Sequence, residues 1–336
     1  MTFPALLDRV VGGDDLTRDE ARGAMGDLMA GELQDAQIGG LLVGLRMKGV
    51  TATELAGFAD AMRGNALTLE HSFPNLVDTC GTGGGPSTFN LSTGAAILAA
   101  AAGAKVAKHG NRAVTSNCGS ADVLEALGVG LGADPERLLG ALDKIGIAFL
   151  FAPNHHPAMR HVGPARKALG VRTVFNQLGP LANPAGAKRQ LVGVYDESLI
   201  EPMAEALLLL GAEHAYVVHS SEGMDEISPC GPTSVAVVYK GRVSTASLSP
   251  KDFGLDPVPW EALAPGADAQ ANADILKEAL EDQDSPRAAA LLPNAATALH
   301  LCGIAGSLEQ GAHLARAAIA SGKARQTLRE LAAWTS

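Results

Sequence analysis

Two stretches of this chain combine glycine with hydroxyl, amide and cationic side chains, and a third carries adjacent carboxylates. The first is Asp78-Thr-Cys-Gly-Thr-Gly-Gly-Gly85, followed by Thr88-Phe-Asn-Leu-Ser-Thr93. Glycine lets backbone N–H groups approach a ligand without Cβ interference, and a helix N-terminus favours negative charge. A glycine cluster between a strand and a helix therefore suits phosphate or pyrophosphate. No Gly-Lys-Ser/Thr closes the run as in a Walker A loop, and it is not a clean Gly-x-Gly-x-x-Gly fingerprint. Taken alone, a glycine-rich turn that binds nothing fits this segment equally well. The second stretch is Lys108-His-Gly-Asn-Arg-Ala-Val-Thr-Ser116, with Gly119-Ser120-Ala-Asp122 just beyond. Lysine and arginine supply charge, and serine and threonine supply hydroxyl donors, a set suited to sugar-phosphate oxygens. A solvated polar loop is the plain alternative, but it must account for two such loops, each after a strand-like segment, in an acidic protein.

The third stretch is Ser221-Glu-Gly-Met-Asp-Glu-Ile-Ser228. Asp225 and Glu226 suit Mg²⁺, a hard ion that takes few protein carboxylates and fills its shell with water and substrate phosphates. By itself such a pair is commonly mere surface; beside two candidate phosphate loops, a metal is the better reading. A fourth stretch runs Asn154-His-His-Pro-Ala-Met-Arg-His161 and then Gly163-Pro-Ala-Arg-Lys-Ala-Leu-Gly170. Arg166 offers a planar fork to a carboxylate. The spacing of His155, His156 and His161 matches no usual transition-metal site, so these are expected to be structural or solvent-facing.

The elements that must position these groups follow from periodicity. Residues 5–64 read as a run of helices, with capping boxes at Thr17-x-x-Glu20 and Thr51-x-x-Glu54, stops at Gly31, Gly49 and Gly64, and Asp35 as a further cap. From about residue 75, short apolar segments (Leu76–Val77, Val106–Ala107, Ile147–Phe151, Gln190–Val194, His214–Val218, Val235–Val238) alternate with alanine- and leucine-rich helical stretches. That alternation predicts an α/β domain with a mostly parallel central sheet, whose carboxyl-end loops gather into one crevice. Pro157 and Pro164 fit first turns of short helices, with Gly170 as a stop. The segments Leu178–Pro184 and Asp256–Pro265 read as irregular, and the tail as helical.

Composition bounds the function. At 336 residues the chain can bury a large core, and its length favours two domains. Acidic residues outnumber basic ones 36 to 26, a formal charge of −10, which argues against nucleic acid or anionic membranes as partners. No secretory leader or membrane-spanning stretch is visible, and the four cysteines are widely spaced, so a cytoplasmic protein is expected.

Gly-Thr-Gly-Gly, Phe-Asn-Leu-Ser-Thr, Lys-His-Gly-Asn-Arg-Ala, His-Pro-Ala-Met-Arg, Gly-Pro-Leu-Ala-Asn-Pro and Gly-Met-Asp-Glu-Ile, in this order, closely resemble the anthranilate phosphoribosyltransferase family. The likeness runs from the Thr17 helix to the tail and includes Pro250-Lys-Asp-Phe-Gly-Leu255 and Asn294-Ala-Ala-Thr-Ala-Leu299. It implies a small all-helical domain (1–67, joined by about 165–188) and a larger α/β domain (68–164 and 189–336) of the nucleoside phosphorylase/phosphoribosyltransferase type. It further implies a homodimer, two Mg²⁺ ions, and transfer of the phosphoribosyl group of phosphoribosyl pyrophosphate (PRPP) to anthranilate in tryptophan biosynthesis. The dimer surface is expected on apolar positions of the first two helices.

By this resemblance Gly81, Gly83, Gly84, Thr88, Asn90, Ser92 and Thr93 match positions holding the diphosphate and ribose of PRPP. Lys108, Arg112, Ser116 and Ser120 match the second phosphate loop. Ser92, Asp225 and Glu226 match metal ligands, Asn111 and Arg166 match anthranilate contacts, and His109 and His156 lie along the same aromatic-acid path. The family usually has an aspartate after Gly-Thr-Gly-Gly and a loop one residue longer; here Gly85-Pro-Ser87 replaces that stretch. The change removes a carboxylate and stiffens the loop, and altered affinity rather than lost activity is the expectation. A pyrimidine nucleoside phosphorylase-like enzyme and a non-catalytic nucleic-acid-binding relative of the same fold are the alternatives.

Overall fold

The computed structural model describes residues 2–113 and 118–335. It opens with four helices, α1 (Phe3–Gly12), α2 (Arg18–Ala30), α3 (Asp35–Lys48) and α4 (Ala52–Gly64). Thr17 with Glu20 and Thr51 with Glu54 form reciprocal capping boxes that satisfy backbone donors left free at each helix start. Gly31 ends α2 in the left-handed conformation, φ 77°. At α3 the expectation shifts by one residue. Gln34 takes the cap position, Asp35 is the first helical residue, and the Gln34 N–H donates to Gln37 Oε1 at 2.9 Å. An acidic residue there still complements the helix dipole.

Next comes a seven-stranded sheet of β1 (Val77–Asp78), β2 (Val106–Gly110), β3 (Ile147–Phe151), β4 (Arg189–Gly193), β5 (His214–Ser220), β6 (Thr233–Tyr239) and β7 (Arg242–Leu248), in the order β3-β2-β1-β4-β5-β6-β7. The first five run parallel, and β6 and β7 add antiparallel. Apolar segments announce every strand but β7. Arg242-Val-Ser-Thr-Ala-Ser-Leu248 lies largely exposed at the sheet edge, where polar side chains guard against further pairing. The strand order reverses at β1, and its carboxyl end is therefore the natural crevice.

The helices between and beyond the strands are α5 (Leu91–Ala101), α6 (Ser120–Ala126), α7 (Pro135–Lys144), α8 (Ala152–His155), α9 (Gly163–Leu169), α10 (Phe175–Leu178), α11 (Ile200–Leu209), α12 (Ala269–Glu281), α13 (Pro286–Leu301), α14 (Leu308–Ala320) and α15 (Lys323–Thr335). Strand alternation sorts the core. Val106, Ile147, Phe149, Leu191 and Val218 pack beneath α5 and α12–α15, while Val192, Val194, Ala215 and Val217 face α11 and the N-terminal helices. Val162, Ala165, Val174, Phe175 and Leu178 join that second cluster, so the 162–178 segment packs with the helical lobe. On the first face, a Cβ at Gly94 would lie 2.7 Å from methyls of both Leu276 and Leu291, so glycine lets α5 approach α12 and α13 without displacing those leucines.

Candidate active site

The loops after β1, β2, β4 and β5 meet at one end of the sheet. The glycine segment lies flat against β4 and the β5 loop. Thr82 N–H donates to the Gly193 carbonyl at 2.8 Å, Tyr195 N–H donates to Thr82 Oγ1 at 3.0 Å, and Gly83 N–H donates to Asp225 Oδ2 at 2.7 Å. Gly83 and Gly84 have φ of 68° and 96°, open to glycine at little cost. Close approach explains two more. A Cβ on Gly193 would run into the Asp225 carbonyl, and one on Gly85 would lie 2.8 Å from the Gly223 oxygen. Gly85, at the shortened stretch, thus sits directly on the acidic loop, with no room for a larger side chain in this arrangement. Nothing in the sequence singles out Arg172, which donates to the Gly84 carbonyl at 2.9 Å and lies 4.3 Å over the Tyr195 ring.

Asp225 and Glu226 stand side by side at the base of this loop. Ser92, in the first turn of α5, donates its N–H to Glu226 Oε1 at 3.1 Å. Burial raises the Asp225 pKa, and burial together with the neighbouring Asp225 pushes Glu226 up to about 8. No lysine or arginine forms an ion pair with either carboxylate among the described residues. The described residues hold no cluster of three or more histidine, cysteine or acidic groups fit for a metal. What the pair and the Ser92 hydroxyl offer is a sparse set of hard oxygen donors beside a backbone-lined loop. That set fits a divalent hard cation completed by water and phosphate oxygens.

Behind the glycine segment lies a buried polar core. Lys108 is 2 % exposed and donates to the Thr79 carbonyl at 3.1 Å, so its ammonium sits under β1 rather than projecting from the loop. Asp78 accepts from His109 N–H at 3.1 Å and from Asn183 Nδ2 at 2.7 Å, and burial raises its carboxyl to about 6. The His109 and His156 rings lie 5.3 Å apart. His109 Nδ1 meets the Gly179 carbonyl at 3.1 Å, which requires a proton on Nδ1. Its Nε2 and both ring nitrogens of His156 are buried with no hydrogen-bond partner among the described residues. Burial, with each histidine's neighbouring imidazole, pushes His109 down to about 3 and His156 to about 4, so both rings are neutral at physiological pH.

The second loop is placed in pieces. Thr93 Oγ1 pairs with Ser120 Oγ at 3.0 Å, joining the two loops. Asn90 donates to the Cys118 carbonyl at 3.1 Å and leaves its Oδ1 without a partner among the described residues, and Thr88 is half-buried nearby in the chain. Asn111 is exposed and accepts from Arg112 N–H at 2.8 Å. Arg112 turns to Glu125 at 2.9 Å and Asp122 at 3.0 Å, so its charge is already answered within the protein. Ser116 lies outside the described residues. Arg166, on α9, lies 4.9 Å over the Phe175 ring; burial lowers its pKa, and no carboxylate pairs with it among the described residues. A half-buried guanidinium left unpaired is suited to an anion.

Comparison with known proteins bears on this arrangement. Residues 4–66 match the glycosyl transferase family helical bundle domain and residues 73–325 the same family's a/b domain. An anthranilate phosphoribosyltransferase from Myxococcus xanthus is 50% identical over 333 residues, covering 98% of both chains. The chain belongs to the anthranilate phosphoribosyltransferase family. Among solved structures, the Thermus thermophilus anthranilate phosphoribosyltransferase superposes with a TM-score of 0.92 at 44% identity, covering 98% of each chain. The Saccharomyces cerevisiae anthranilate phosphoribosyltransferase in complex with PRPP and Mg gives 0.89 at 29% identity over 99% of this chain and 97% of its own. That enzyme has also been solved with 4-fluoroanthranilate.

Proposed function

We propose that this chain, as an anthranilate phosphoribosyltransferase, joins the amine of anthranilate to C1 of the ribose of PRPP and releases pyrophosphate. The observation that carries this reading is the Asp225–Glu226 pair, which forms no ion pair with lysine or arginine among the described residues and is tied to the glycine loop through Gly83 and to the α5 N-terminus through Ser92. Neither the phosphorolytic nor the nucleic-acid-binding alternative finds support among these relatives, which are named anthranilate phosphoribosyltransferases.

Gly81, Gly83, Gly84, Thr88, Asn90, Ser92 and Thr93 would cradle diphosphate and ribose, with Lys108, Arg112, Ser116 and Ser120 beside them. Ser92, Asp225 and Glu226 would hold Mg²⁺, which when bound offsets the charge that develops on pyrophosphate as it departs. Those backbone N–H groups of the glycine loop that are not bonded to Gly193 or Asp225 would add to that stabilisation. Anthranilate's amine is uncharged at neutral pH, so positioning dominates over base catalysis. Arg166 would fork the carboxylate and Asn111 would orient the ring, with His109 and His156 lining the same path.

We further propose a cytoplasmic homodimer serving tryptophan biosynthesis. Val11 on α1 is 68% exposed, and on α3 Met47 is 83% exposed with Val43 one turn before it, an apolar set suited to a second copy. No helix among the described residues is long and apolar enough to cross a membrane. The deciding experiment follows loss of anthranilate fluorescence with PRPP, with and without Mg²⁺. A Mg²⁺-dependent decay accompanied by pyrophosphate release is the expected result; folded protein giving no decay would overturn the reading.

A further inference from the structure

Asn294 is 0 % exposed in the middle of α13, a helix whose buried residues are mostly alanine and leucine. An amide buried in such a helix is costly unless both its donor and its acceptor find partners. Both do, and at a single residue. Ile227 N–H donates to Asn294 Oδ1 at 3.0 Å, and Asn294 Nδ2 donates to the Ile227 carbonyl at 3.1 Å. The side chain thereby imitates a paired strand, and the residue it grips immediately follows Glu226.

The rest of the acidic loop is pinned from within. Ser220 Oγ accepts from Met224 N–H at 3.0 Å, Thr233 Oγ1 accepts from Ser228 N–H at 2.9 Å, and Ser228 Oγ accepts from Gly231 N–H at 2.9 Å. Asn294 adds a tie from another element to the backbone next to the carboxylates. The same helix also packs along α5, where Gly94 admits Leu291 at close range, and α5 carries Ser92 in its first turn. One helix therefore sets where Ser92 stands and where Glu226 stands.

We infer that Asn294 is a positioning residue for the cation site: by clamping both backbone groups of Ile227 to α13, it fixes the Asp225–Glu226 carboxylates at the distance from Ser92 that lets the three hold divalent cations. The inference rests on the proposed transferase reading only for the identity of those cations. Partners that orient metal ligands without touching the metal commonly govern affinity by roughly 10- to 100-fold.

The test uses full-length Asn294→Ala and Asn294→Asp, with Thr297→Val as a control. Thr297 is equally buried on the same helix and donates to the Pro293 carbonyl at 2.9 Å, away from the acidic loop. Mn²⁺ binding in the presence of PRPP, without anthranilate, is read by electron paramagnetic resonance, and hydrogen exchange reports the Ile227 amide. We expect the Mn²⁺ dissociation constant to rise roughly tenfold or more in Asn294→Ala. Asn294→Asp, which keeps the acceptor and loses the donor, should show a smaller rise, and Thr297→Val none. In kinetics, the Mg²⁺ half-saturation should rise while the KM for anthranilate holds. Folded Asn294 variants with unchanged Mn²⁺ affinity would overturn the inference, as would a failure of both to fold, which would assign the residue to stability alone. Should the wild-type protein bind Mn²⁺ at the pair yet transfer nothing to anthranilate, the transferase reading falls and the positioning role stands.

Discussion

Glu54 in the helical lobe and Glu226 in the cleft are both withdrawn from bulk water, yet they are treated in opposite ways. Glu54 accepts from Leu16 N–H, Thr51 N–H and the Thr51 hydroxyl, and it pairs with the Lys48 ammonium at 2.9 Å. Lys48 in turn reaches Asp15 at 2.6 Å. Both oxygens of the Glu54 carboxylate are engaged, and the charge is neutralised inside the fold. Glu226 has Ser92 as its donor, a second carboxylate as its neighbour and the Lys108 ammonium only at longer range. The first arrangement closes a helical lobe. The second leaves a carboxylate pair whose full ionisation awaits a cation, and this difference separates a structural carboxylate from a functional one.

The contrast can be broken most severely at Glu54. Replacing it with alanine takes from Lys48 its buried partner, leaving only the exposed Asp15, and strands the Leu16 and Thr51 donors; it should cost roughly 3–5 kcal/mol in urea denaturation. Any enzyme that remains folded should keep its KM values. Glu226→Gln should do the reverse. Turnover with Mg²⁺ should fall on the order of 10²- to 10³-fold, the size of several kcal/mol of charge stabilisation. The thermal midpoint should hold or rise, because a repelled carboxylate is removed. A clear loss of thermal stability in that variant would erase the distinction.

Arg166→Ala sharpens the comparison from the cationic side. Removing an unpaired guanidinium that awaits an anion should raise the KM for anthranilate roughly 10- to 100-fold, the worth of a charge-assisted hydrogen bond, and leave that for PRPP nearly unchanged. Equal effects on both substrates would count against an acceptor-side role.

The smallest effect concerns pH. His109 and His156 are held neutral in the fold, at about 3 and about 4, whereas an unfolded imidazole titrates near 6.5. The unfolded chain therefore takes up protons first as the solution is acidified. The stability these rings contribute is whole above about pH 6.5 and is lost as pH falls toward the folded values. Calorimetry from pH 7.5 to 4.5 should show a steeper fall in melting temperature for the wild type than for His156→Phe. Parallel curves would mean that the ring is not held neutral.

Much of the helical lobe is legible because its signals are local. A threonine and a glutamate three residues apart cap a helix whatever surrounds them, and Gly31 and Gly170 stop helices by conformational freedom alone. Gln34 is the instructive miss, since a glutamine three residues on completes its cap and makes Asp35 redundant for that purpose. The buried parallel strands are legible from apolar runs, whereas β7 is hidden by the polarity its edge position demands. In the cleft, Ser92, Asp225 and Glu226 could be nominated from motifs, and the Ser92 N–H indeed meets the Glu226 carboxylate. Arg172 and Asn294 could not. The former gains its place from the Tyr195 ring and the Gly84 carbonyl, the latter from a backbone 67 residues away in the chain. Lys108 and Arg112 read as cations of the second phosphate loop; one proves buried against Thr79 and the other engaged by Glu125 and Asp122, since only tertiary packing determines where a long side chain ends.

The bare hydrogen at position 193 has a consequence for anyone wishing to alter this protein. Because the Asp225 carbonyl occupies the space a methyl group would need, the end of β4 and the acidic loop are fused in register. A library aimed at a different aromatic acceptor can vary the surroundings of Arg166 and Phe175 and leave that fusion intact. One aimed at a different metal will find that this codon admits a single amino acid, so new specificity at the pair has to be sought by changing the carboxylates themselves or the helix behind them.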